Sequence, residues 1–210
     1  MRLASIAVIS ITLGTGLPAF ADDCADSIVA LFQGGAMDPF ARPSWHEVTT
    51  TQHPDGSLTP VVEVWWQDPT RVISLSGGTY ILSIGSKTWT GSSKDGPWVE
   101  TASTMPEDIA EFHRKHAETM MRNATEFACP GTQIVDGQEV TTYVFHTKTD
   151  PNEYGSWFGG LYTIHIDPST GLLQQLEIAD GIASWAPEKS KDRTVTVLDY
   201  DPSIRIDPPQ

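Results

Sequence analysis

From Leu161 to Ile178, apolar and polar positions alternate in two runs. These are Leu-Tyr-Thr-Ile-His-Ile and Leu-Leu-Gln-Gln-Leu-Glu-Ile, set around Asp-Pro-Ser-Thr-Gly. Pro168 fixes φ and Gly171 accepts positive φ, so the spacing predicts an antiparallel hairpin. Tyr162, Ile164 and Ile166 fall on one face of the first strand, and Gln174, Leu176 and Ile178 share a face of the second. A sheet wet on one side and apolar on the other is expected. The same alternation predicts strands over 45–52, 60–67, 71–76, 79–84, 87–90, 97–101, 139–147 and 193–200. With the hairpin this makes an antiparallel sheet, sandwich or barrel.

Two stretches change period from two to about 3.6. Ala25–Gln33 carries Ile28, Val29, Leu31 and Phe32 before a Gly34-Gly35 stop. A second helix is expected to begin at a Thr104–Glu107 capping box with Pro106 in its first turn. Its apolar stripe of Ile109, Phe112, His116, Met120, Ala124 and Phe127 extends about 20 residues, to a stop at Cys129-Pro130-Gly131. Trp65 and Trp66 are adjacent in a predicted strand, so they point to opposite faces and both faces of the sheet are in use.

Residues 1–21 read as a secretory signal peptide. Arg2 precedes an apolar run from Leu3 to Leu13, and Ala19 and Ala21 mark a cut before Asp22. Gly14 and Gly16 interrupt the run well short of a membrane span. Asp22 and Asp23 precede Cys24, so no lipidation site is expected there. Residues 22–210 are expected to form a single domain, secreted or periplasmic. An oxidising compartment and two cysteines predict one disulfide, Cys24–Cys129, tying the first helix to the end of the second; the alternative is two buried thiols. The formal net charge of −14 disfavours nucleic acid and anionic headgroups as partners.

Candidate chemistry is sparse. His113 and His116 stand at i, i+3, but the local sequence offers no third metal ligand. No Gly-x-Ser-x-Gly elbow or phosphate-binding glycine loop occurs. No catalytic residue, metal or cofactor is assigned. The Asn123-Ala124-Thr125 sequon falls on the predicted helix and reads as accidental. The glycine- and aromatic-rich run Asn152–Gly160 reads either as a plain connection or as a lip over a cavity mouth.

The order of elements carries a resemblance. A signal peptide and short helix precede strands with Ile-Gly-Ser-Lys-Thr-Trp (84–89) and Asp-Gly-Pro-Trp (95–98). A long helix, the 161–173 hairpin and the terminal Thr-Val-Thr-Val-Leu-Asp-Tyr-Asp-Pro (194–202) follow. This resembles the LolA-like superfamily of periplasmic lipoprotein carriers, which includes LppX- and LprG-type lipoproteins. The resemblance implies an α+β fold: a strongly curved antiparallel sheet, an incomplete β-barrel, with helices packed on its concave face over an apolar cavity. Arg42 and Arg71 stand near where such a carrier places a latch arginine.

The expected lining comprises Phe112, His116, Met120 and Met121 from the helix, and Trp65, Tyr143, Tyr162, Ile164 and Leu176 from the sheet. The function expected first is non-enzymatic binding of a lipid, another hydrophobic ligand or an acylated protein. An envelope protein-interaction module and a carbohydrate-active hydrolase are the alternatives.

Overall fold

The β1–β6 half of the chain forms a meander, as its alternating runs and tight turns dictate: β1 (Trp45–Gln52), β2 (Leu58–Asp68), β3 (Arg71–Ser76), β4 (Thr79–Ile84), β5 (Lys87–Gly91) and β6 (Trp98–Thr101). A second meander follows helix α2 (Ile109–Arg122): β7 (Thr125–Val135), β8 (Gln138–Lys148), β9 (Phe158–Ile166), β10 (Leu173–Ala183) and β11 (Arg193–Tyr200). Helix α1 (Phe20–Phe32) precedes both. The structure, a computed structural model, describes residues 20–103, 106–152 and 154–209. The leader assigned to residues 1–21 lies outside them, apart from the two residues that open α1.

All eleven strands form one open antiparallel sheet in the order β6-β5-β4-β3-β2-β1-β11-β10-β9-β8-β7. The two meanders meet where β1 pairs with β11 along its whole length, Trp45 opposite Tyr200 and Gln52 opposite Arg193. The organising hairpin forms as β9 and β10, with Ile164 opposite Leu176. In its turn, Gly171 adopts φ 72° and donates to the Asp167 carbonyl.

The second helix is shorter than its stripe predicts. Asp108 caps it, its carboxylate accepting from the Glu111 amide at 2.8 Å. Thr104 and Met105, the start of the expected capping box, lie outside the described residues. Asn123 ends the helix, and Ala124 and Phe127 lie beyond it, Phe127 in β7. Asn123 therefore stands at a helix cap, where its side-chain amide donates to the Lys148 carbonyl and the Asp150 carboxylate. The Cys24–Cys129 disulfide is present, but Cys129 belongs to β7, so the bridge joins α1 to an edge strand.

Both helices pack on one sheet face. There Ile28, Leu31 and Phe32 of α1 and Met120 of α2 meet Trp45, Phe145, Tyr162, Ile164, Leu173 and Leu198. The opposite face carries a second, smaller cluster on the β2–β5 side. Ile73 and Leu82 are covered there by Ile206 of the C-terminal segment, with Trp65, Tyr80, Trp89 and Trp98 around them. The Ile206 amide donates to the Gln67 side chain at 2.8 Å, and Arg71 donates to the Ile206 carbonyl at 3.2 Å. The sheet is thus not apolar on one side alone: both of its faces bury side chains. Trp65 belongs to this second cluster and not to the helix-covered layer, because the pleat sends it away from Trp66.

Candidate ligand-binding site

Apart from Trp65, which lies on the other face, the expected lining residues divide into three groups. Met120, Tyr162 and Ile164 are buried, and together with Phe145 they fill the layer directly beneath α2. Burial pushes the Tyr162 phenol up to about 12. Tyr143, Leu176 and Met121 are half-buried at the margins of this layer. Phe112 and His116 face outward, and open space lies on either flank of α2.

One flank is a cavity of about 350 Å³ between α2 and the segment joining β8 to β9. Phe112, His116 and Thr119 form the helix side, and Asp150, Ser156 and Phe158 stand opposite. The Asn152–Gly160 run thus borders a cavity, though its last three residues are already strand. The Asn152 side chain accepts from the amides of Tyr154 and Ser156, which holds the segment in a tight turn. Phe158 is locked to Thr149 by hydrogen bonds in both directions. Even so, Phe158 is 44% exposed and Phe112 52%.

The second flank is a cavity of about 300 Å³ between α2 and the end of α1, with Phe32, Phe40, His113, Ala117 and Met121 in its wall. Aromatic rings connect the two. His116 stacks between Phe158 and Phe112, with centroids 5.7 and 6.4 Å away, and His113 meets Phe112 and Phe40 edge-on at 5.5 and 5.8 Å. Five rings therefore cross α2 from one cavity to the other.

Burial lowers the pKa of both histidines. His116 is lowered further by His113, and His113 by Arg42, against an opposing pull from Asp38. Near neutral pH both are uncharged, so the ladder presents aromatic surface, which suits an apolar ligand. Among the described residues, no three His, Cys, Asp or Glu side chains are grouped to hold a metal.

The α2 anchors follow from its sequence. Thr147 of β8 donates to the Met120 carbonyl at 2.6 Å, and Asn123 reaches the following residues of the same strand region. Arg114 pairs with Glu111 and Glu118 along the exposed face. Arg42 is largely buried, stands over the Trp45 ring at 5.4 Å and donates to the Ala36 carbonyl at 2.9 Å, holding the turn after α1. Arg71 lies on the other face with the C-terminal segment. Phe40 and Phe158 escaped the sequence-based lining because each is a lone aromatic in a turn-rich stretch, with no period to assign it a face.

An open antiparallel sheet formed of two meanders, with a helix before the first and another between them, is an LppX-like fold. The lipoprotein LppX of Mycobacterium tuberculosis matches with a TM-score of 0.50 at 13% identity, over 87% of this chain and 99% of LppX. The LolA superfamily protein NE2245 of Nitrosomonas europaea matches with a TM-score of 0.32 at 11% identity, over 84% of this chain and 91% of that one. In sequence, an extracellular endo-α-(1→5)-L-arabinanase of Thermotoga petrophila is 23% identical over 154 residues, covering 61% of this chain. The match spans only 31% of the arabinanase. No family model matches the sequence.

Proposed function

We propose that the protein is a non-enzymatic, exported envelope protein that binds a lipid, another hydrophobic ligand or an acylated partner. The ligand lies against the helix-covered face of the sheet and enters along α2. The observation that carries this is the aromatic ladder. Phe112, His116 and Phe158 line one cavity, Phe40 and His113 the other, and all are kept uncharged and partly open to solvent. Exposed aromatic walls beside a preformed cavity cost solvation in an unliganded protein and are recovered on binding an apolar group. The likeness in fold to the lipoprotein LppX supports the same reading. Residues 1–21 direct export and are removed. A hydrolase reading finds less support: neither cavity beside α2 sets paired carboxylates beside a tryptophan.

Solvent extraction of protein purified from an envelope fraction, followed by mass spectrometry, is expected to release bound lipid. Displacement of a fluorescent fatty acid from delipidated protein gives the affinity. Phe112→Ala with Phe158→Ala is expected to weaken it roughly tenfold, the scale of losing a buried aromatic anchor. Unchanged affinity in the double variant defeats the α2 site, and a protein that releases and binds no apolar ligand defeats the function.

A further inference from the structure

Trp45 of β1 and Trp66 of β2 stack face to face on the helix-covered side, with centroids 5.1 Å apart and planes within 14°. The two indole N–H groups fare differently. Trp45 Nε1 donates to Glu47 Oε2 at 2.8 Å. Trp66 Nε1 is buried and meets no acceptor, alone in this among the buried side-chain polar atoms of the described residues. A buried donor left without a partner costs about 1–3 kcal/mol, and native proteins rarely keep one without a reason.

The surroundings indicate the partner. Trp66 borders the same core as α1 and α2, with the half-buried Tyr200 and Met37 nearby in that cluster. Arg42 stands over the other member of the stacked pair, its guanidinium donating to the Ala36 carbonyl and feeling the charges of Glu47 and Asp38. An indole N–H without an acceptor favours an oxygen carrying partial negative charge. A bare hydrocarbon supplies none.

We propose that Trp66 Nε1 is a recognition donor for the ligand, so that the cargo is an acyl chain bearing an oxygen acceptor, an ester carbonyl or a carboxylate. The inference rests on the hydrophobic-ligand reading above and narrows it. The chain contributes apolar burial, and the indole selects the oxygenated end.

The test uses delipidated full-length protein labelled with 15N in its tryptophan indoles and three ten- to eleven-carbon probes: decanoate, methyl decanoate and undecane. The resonance missing from Trp66→Phe identifies the Trp66 N–H. It is expected to move downfield with the oxygenated probes and to stay in place with undecane. Wild type is expected to bind methyl decanoate roughly two- to tenfold more tightly than undecane, the factor one net hydrogen bond supplies. Trp66→Phe, which keeps the stacked ring, is expected to bind the two alike. A response to decanoate alone supports the carboxylate form of the proposal, and a response to both supports a neutral carbonyl. An unmoved Trp66 resonance in protein that binds the probes overturns the inference and leaves the function standing, as does an intact preference in Trp66→Phe. Failure of all three probes to bind overturns both.

Discussion

His116 illustrates how one side chain serves two roles. Stacked between Phe112 and Phe158, it behaves as an aromatic wall only while neutral, and burial lowers its pKa to keep it so. The folded state therefore binds its proton less readily than the unfolded chain. This stability is complete above the ordinary histidine value of 6.5 and is lost as pH falls from there through the lowered folded value. Carboxylates such as Asp150, held below 3.8, titrate further down and leave this window clear. The urea midpoint is expected to fall between pH 7.5 and 5.5, and His116→Phe to remove part of that fall. Equal pH dependence in the two proteins contradicts the assignment. Single positions were legible where a period applied: Tyr162 and Ile164 from strand alternation, Met120 from the helical stripe. Trp65 was not, because alternation separates it from Trp66 without saying which of the two faces the helices.

At the scale of elements, most strands could be read from the sequence because one apolar face imposes a period of two. β7 could not. Its pairing with β8 slips between Thr125 and Ala128 and again between Ala128 and Gly131, and Glu126 takes φ 58°. Bulges erase the alternation, and Ala124 and Phe127 happen to continue the helical spacing. Pro130 is tolerated because β7 is an edge strand. The disulfide consequently fastens α1 to the sheet's most irregular member across a sequence separation of 105. Chain-entropy arguments put a bridge of that span at about 4.7 kcal/mol, of which roughly 2–4 is commonly realised. Cys24→Ala with Cys129→Ala is expected to lower unfolding stability by that amount in urea titrations. Earlier hydrogen exchange is expected in α1 and β7 than in β1 and β11. Uniform loss of protection across the sheet contradicts this picture.

For the whole molecule, the path from β6 to β7 limits the shape. Those strands are opposite edges of the sheet, about 48 Å apart if eleven strands lay flat. The 14 residues of α2 span about 21 Å, and the nine others in 102–124 reach about 30 Å at full stretch. A flat sheet would leave that connection almost taut, whereas a curled sheet slackens it by bringing the edges together. The face of β2–β5 turned away from the helices needs its own cover, and Ile206 supplies it. Deleting residues 203–210 is expected to expose Trp65 and Trp98, red-shift tryptophan emission and lower stability by about 2–4 kcal/mol, the burial of one or two large aliphatic side chains. The α2 cavities are expected to keep their affinity for a fluorescent fatty acid. Loss of binding on truncation contradicts the independence of the two faces.

The pairing of β1 with β11 sets the order in which the molecule is made. Its first strand finds its central neighbour only in the last, Trp45 waiting for Tyr200. Such distant pairing is slow to nucleate. A growing polypeptide therefore has no finished centre of the sheet to close around until β11 has been synthesised.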